Sequence, residues 1–139
     1  MKKPDLGEAD LRESTAVGQH LMEREKDLSS IRLRGNLSLE EAQVFHAMVE
    51  RSLETYGRAY VLVDASEAGL ISATTRRWIA RWNQEHLVSG VAIYGGSLVA
   101  RTLLTLLLNA IMLMGRQNFP AVFVRTEADA RAWLTAQRR

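Results

Sequence analysis

The chain contains no cysteine. That excludes disulfides, zinc–thiolate sites and a thiol nucleophile, and it suits a reducing compartment. It also lacks any large excess of charge: 18 lysines and arginines stand against 16 acidic residues, a formal net charge of +2. So even a balance, spread along the chain, supplies no field for holding nucleic acid. The opening Met-Lys-Lys-Pro-Asp-Leu-Gly-Glu-Ala-Asp has no apolar segment behind its lysines and does not read as a secretory signal, so the expected location is cytoplasmic. There is no internal repeat and no low-complexity segment. What is there, 47% hydrophobic and 24% charged residues over 139 positions, describes one globular domain.

Residues 1–12 are polar, carry Pro4 and Gly7, and read as a flexible tail ahead of a single domain over 13–139. Thr15 to Arg24 suggests a strand with Val17 and Leu21 on one face, and Lys26-Asp27 a turn. Ser30-Ile31-Arg32-Leu33-Arg34-Gly35 then alternates at period two, with Ile31 and Leu33 inward, so the two strands form a hairpin. Gly35-Asn36 is expected to break the strand. Ser38 and Glu41 match a capping box, followed by Leu39, Ala42, Phe45, Val49, Leu53 and Tyr56 at helical steps up to Gly57. Tyr60-Val61-Leu62-Val63 predicts a buried strand ending at Asp64.

A second helix begins near Ser72, with Trp78, Ile79 and Trp82 inward and Arg76, Arg77 and Arg81 outward. Val91-Ala92-Ile93-Tyr94 is another strand, stopped by Gly95-Gly96. Ser97 caps a long helix to about Met114. Ala121-Val122-Phe123-Val124 is the last strand, and Thr126 with Asp129 opens a helix burying Ala130, Trp133 and Leu134. The order β-β-α-β-α-β-α-β-α predicts an α/β fold: a mixed, mostly parallel sheet with about four helices and an antiparallel first strand at its edge.

Several stretches together resemble one family. Ile31-Arg32-Leu33-Arg34-Gly35-Asn36-Leu37-Ser38 is similar to the strand, glycine, polar residue, leucine and hydroxyl that lead into the first helix of STAS domains. Tyr60-Val61-Leu62-Val63-Asp64-Ala65-Ser66 resembles their central strand ending in Asp-x-Ser. Val91 to Gly96 before a long helix, and Val122-Phe123 before Thr126-Glu127-Ala128-Asp129-Ala130-Arg131-Ala132-Trp133-Leu134, resemble the SpoIIAA-like branch, over roughly residues 28–135. The resemblance implies a non-catalytic regulatory module acting on a protein partner, as anti-sigma factor antagonists do. In those antagonists a serine at the start of the helix after the central strand takes a phosphoryl group. Here that position falls on Ala73, with Ser72 and Thr74 as neighbouring candidate phosphoacceptors, so the usual phosphoswitch is expected to be missing.

His20, His46 and His86 lie on different predicted elements without metal-ligand spacing, and His46 reads as a hydrogen-bonded residue at the edge of an apolar arc. Asp64, Ser66, Gly95, Gly96 and Ser97 form a candidate ligand crevice at the carboxyl ends of two strands; their alternative role is to fix turns and cap a helix. No nucleophile, base and orienting residue assemble, and no nucleotide fingerprint or cofactor motif is present, so the expectation is a protein that is not an enzyme and has no cofactor. The arginines beside Trp78 and Trp82 read as a solvated helix face, not a nucleic-acid site.

The long helix is the most informative segment. From Leu98 to Met114 only Arg101, Thr102, Thr105 and Asn109 are polar, within an arc of roughly 100°. The apolar remainder exceeds what packing on one sheet needs. It is either covered by neighbouring elements or used for a homodimer, a partner protein, or a lipid or membrane surface. Candidate interface residues are Leu103, Leu104, Leu106, Leu107, Ile111 and Met114. Arg101, Asn109 and the Gly115-Arg116-Gln117-Asn118 end argue against a transmembrane span.

Overall fold

A computed structural model describes residues 13–113 and 119–138. Its elements run β1 (Glu13–Val17), β2 (His20–Glu25), β3 (Leu28–Leu37), α1 (Leu39–Tyr56), β4 (Tyr60–Ile71), α2 (Ala73–Glu85), β5 (Gly90–Tyr94), α3 (Leu98–Leu113), β6 (Ala121–Val124) and α4 (Glu127–Gln137). The mixed, mostly parallel sheet and the four helices are as predicted. The sheet has one strand more than the sequence reading gave, because Thr15–Arg24 is two strands and not one. They turn at Gly18, whose φ of +61° is open to glycine, and where a Cβ would lie 2.1 Å from the Glu41 carboxylate. The turn also corrects the faces: Val17 packs on the main core, while Leu21 lies on the opposite side of the sheet beside Leu62 and Asp64. The stretch read as a flexible tail, residues 1–12, lies outside the described residues.

All six strands pair in sequence order, with β1–β2–β3 antiparallel and β3 to β6 parallel. Each parallel crossover therefore advances in one direction, and right-handed crossovers of that kind put α1, α2 and α3 on one face. The main core forms there, from Ile31, Leu33, Phe45, Val49, Val61, Val63, Ile79, Trp82, Leu104, Leu107 and Ile111 among others. Tyr60, Leu62 and Ala92 point to the other face, which α4 covers with Ala130 and Leu134.

Two strands outrun their predicted ends. β3 continues through Gly35-Asn36 to Leu37, and β4 continues from Asp64 to Ile71, because each extension pairs with the other (Arg34 with Glu67, Leu37 with Ile71) across two irregularities. The Asn36 side chain adds a bond by accepting from the Leu70 amide at 2.8 Å. The predicted helix signals hold. Ser38 Oγ accepts from the Glu41 amide at 3.1 Å while the Glu41 carboxylate accepts from the Ser38 amide at 2.9 Å, and Gly57 closes the helix by donating to the Leu53 carbonyl. Ser72, Ser97 and Thr126 cap the other three helices.

Candidate functional site

The middle of β4 and the carboxyl end of β5 bring Asp64, Ser66, Gly95, Gly96 and Ser97 together. Because β4 runs on to Ile71, Asp64 and Ser66 do not end a strand as expected, and each of the five meets another part of this chain. Asp64 Oδ1 accepts from the Ser66 amide at 2.9 Å, an Asx turn. Ser97 Oγ accepts from the Ala100 amide at 3.1 Å. Gly95 presses on Ser66 so closely that a Cβ would sit 2.4 Å from its hydroxyl, and a Cβ on Gly96 would sit 3.1 Å from the Ala65 carbonyl. The glycines let two backbones approach. In addition, a strand order without reversal leaves no gap between crossovers on opposite faces, the place where open sheets take ligands.

On the α4 face a small polar pocket lies between Arg32, Asp64, Tyr94, Glu127 and Arg131. Arg32 pairs with Asp64 at 3.4 Å, Tyr94 donates to Glu127 at 3.3 Å, and Arg131 bridges to Glu127 at 2.8 Å. Partial burial, with the charges of Asp64 and Glu127 alongside, pushes the Tyr94 phenol well above its usual range, so it stays a neutral donor. The sequence reading missed this cluster, since it joins β3, β4, β5 and α4.

The candidate phosphoacceptors sit at the start of α2, both exposed. Ser72 Oγ accepts from the Thr75 amide at 3.2 Å and donates to Thr75 Oγ1 at 3.1 Å; Thr74 lies beside Arg77. Of the neighbouring arginines, Arg76 donates to the Ile71 carbonyl, while Arg77 and Arg81 face solvent. Trp82 is buried and Trp78 half-buried against His46, so neither ring is presented for stacking on a base.

Behind α2 and α3 lies an apolar cavity of about 90 Å³. Around it, α2 packs on α3 and α1 more than on the strands. Its wall includes Phe45, Val63, Ile79, Trp82, Leu104 and Leu108, with His46 and Asn83 as its polar members. Both turn to their own helix: His46 Nδ1 bonds the Ala42 carbonyl at 2.7 Å, and Asn83 Nδ2 donates to the Ile79 carbonyl at 2.9 Å. Burial pushes the His46 imidazole down to about 4, with the nearby charge of His86 acting the same way. Edge-on contacts to Trp78 and Trp82, and His86 stacked on Trp82 at 4.1 Å, complete an aromatic cluster that the sequence reading did not assemble. His86 in turn bonds Glu50 at 3.2 Å.

α3 divides its apolar residues between core and solvent. Ala100, Leu104, Leu107 and Ile111 are buried, which removes Leu104, Leu107 and Ile111 from the candidate interface: they are the sheet-facing side. Leu98, Val99, Leu106 and Leu113 are exposed, at 81%, 63%, 51% and 87%. Leu103 is half-buried, and Met114 lies outside the described residues.

The comparisons agree with this architecture. A family model described as SpoIIAA-like matches residues 28–135. The chain belongs to the SpoIIAA-like family. Among solved structures it is similar to a protein from Shewanella loihica PV-4 with a SpoIIAA-like fold, at 17% identity and a TM-score of 0.59 over 88% of this chain and 93% of that one. It is also similar to the anti-sigma factor antagonist SpoIIAA in its unphosphorylated form, at 10% identity and a TM-score of 0.50 over 89% of this chain and 97% of the other. At such identities both show a shared fold alone. A search of curated proteins finds no match. Among the described residues of this SpoIIAA-like chain, no helix is long and apolar enough to cross a membrane.

Proposed function

We propose that this SpoIIAA-like protein is a non-catalytic regulatory module of the cytoplasm that works by binding a protein partner along the exposed apolar flank of α3. The observation that carries this reading is the exposure of Leu98, Val99, Leu106 and Leu113 on one helix. Single exposed leucines are ordinary, but several on one element mark surfaces that bind. A photo-crosslinking residue placed at Leu98 or Leu113 in living cells should give a discrete protein adduct, while one at exposed Gln137 should not. Adducts from neither helix position would overturn the reading. Ala73, at the position to which the resemblance assigns the phosphoacceptor of anti-sigma factor antagonists, supports regulation without that phosphoswitch. Mass spectrometry of the protein from its own cells should find Ser72 and Thr74 unmodified, and stoichiometric phosphate on either would refute this part.

A second reading is favoured by the 90 Å³ apolar cavity: a hydrophobic ligand, such as part of a lipid, held between the sheet and α2 and α3. Native mass spectrometry would show a small apolar molecule co-purifying, and Val63→Trp, which fills the cavity, would displace it. A spectrum with bare protein alone would exclude this reading.

A further inference from the structure

The flank of α3 has a pattern that specifies its occupant more closely, on the interaction-module reading just given. Val99, Leu103, Leu106, Ala110 and Leu113 recur at steps of four, three, four and three. That is the spacing by which one helix seats against another. At about 100° per residue the five span an arc of about 80°, beside the buried arc of Ala100, Leu104, Leu107 and Ile111 and distinct from it. The opposite flank is spoken for, because Leu108 shares the cavity wall with Ile79 and Asn83 of α2. The five-residue stripe therefore faces away from α2, toward the side of β6, the last strand of the sheet. There Ala121 and Phe123 of β6 are only half-buried.

We propose that this stripe pairs with the same stripe of a second copy of the chain, around a two-fold axis near Leu106, its central residue. Charge selects the occupant. The stripe carries none, and the only charged residue of α3, Arg101, projects about 160° from its centre. An acidic or basic partner would find no counter-charge on it, and among the described residues of α3 an anionic bilayer would find no cation flanking it of the kind that surface helices use. An uncharged, apolar stripe is matched by its own copy, since interface cores are depleted in charge. Area sets the strength. Val99, Leu106 and Leu113, exposed at 63%, 51% and 87%, offer on the order of 200 Å² of apolar side chain per copy. Leu103, Ala110, Phe123 and the polar shoulders Thr102 and Asn109 enlarge the patch toward the low end of specific interfaces, about 1,200 Å² in total. So small an interface makes the dimer a reversible one.

Sedimentation velocity from about 1 to 300 μM tests it. The expected result is an average mass rising from one to two chains across that range. Leu106→Glu and, independently, Leu113→Glu should keep the folded circular dichroism and weaken dimerisation at least 30-fold, while Thr105→Glu on the polar arc leaves it unchanged. A wild type that stays monomeric at 300 μM overturns the pairing, as does a folded Leu106→Glu that dimerises like the wild type. Sedimentation of a monomeric wild type with phosphatidylglycerol vesicles, abolished by Leu106→Glu, would assign the stripe to lipid and equally overturn it. These outcomes separate from failure of the broader reading, because crosslinks from Leu98 or Leu113 to a different protein would stand even if the chain never pairs with itself.

Discussion

The Ser66 hydroxyl occupies the place where a side chain on Gly95 would begin: a Cβ there would lie 2.4 Å from Ser66 Oγ. Gly95 also has a φ of +73°, which costs an ordinary residue on the order of 1 kcal/mol even in open space. Gly95→Ala should therefore lower the unfolding free energy by about 2–3 kcal/mol in urea titration. Ser66→Ala in the same chain should recover only part of that, since the Ser66 amide still stands 3.3 Å from the new Cβ. A fully tolerated Gly95→Ala would show that Ser66 of β4 and the end of β5 are further apart in solution, and would reopen the crevice between them.

His46 predicts an acid-sensitive stability. Burial holds its pKa at about 4 in the folded chain against an ordinary value of 6.5. Above 6.5 both folded and unfolded states are neutral and the residue is silent. As pH falls from about 6.5 to 4 the unfolded chain takes up a proton that the folded chain refuses, so stability is lost, by about 3 kcal/mol in all. Denaturant titrations at several pH values should trace this slope, and His46→Gln should flatten it. The Glu13 and Glu41 carboxyls act in a lower window. Burial pushes Glu13 upward, but Arg51 and Arg24 outweigh it, and Glu41 is lowered first by the Ser38 amide; their contributions are lost only as pH falls through the carboxylate range.

Trp82 and Trp133 should differ sharply. Trp82 is 7% exposed inside the main core, whereas Trp133, expected from sequence to be buried, is half-buried on the α4 face. Trp82→Ala is expected to cost about 3–5 kcal/mol, a large share of the stability of a domain of this size, and Trp133→Ala less than about 3 kcal/mol. Equal losses in thermal or urea unfolding would contradict the packing of α4.

Asp27 holds the β2–β3 turn to the C-terminal helix end. Its carboxylate, 8% exposed, accepts from Arg58 and from Arg138, each at 2.7 Å. Asp27→Ala should cost about 1.5–3 kcal/mol through the lost charge-assisted bonds. A double-mutant cycle with Arg138→Ala should return a coupling of at least about 0.5 kcal/mol. Additive losses would mean that the Arg138 contact contributes nothing in solution.

The legible parts of this protein were those whose physics is local. Ser38 and Glu41, Ser72, Ser97 and Thr126 announce four helix starts, because a cap satisfies amides within three residues of itself. Alternation gave the β3 face, short continuous apolar runs gave the β5 and β6 strands, and the shared order of strand ends and caps carried the family. Tertiary structure decided what depends on distant partners. β4 runs to Ile71 only because β3 lies beside it, and the Gly18 turn answers to Glu41 in a helix. The Tyr94 cluster joins residues from four elements. On α3 the sequence showed an apolar arc too wide for one sheet, yet both halves of that arc are equally hydrophobic. Only the placement of the sheet and α2 could assign Leu104 to the core and Leu106 to solvent, since burial is a property of what lies opposite a side chain and not of the side chain itself.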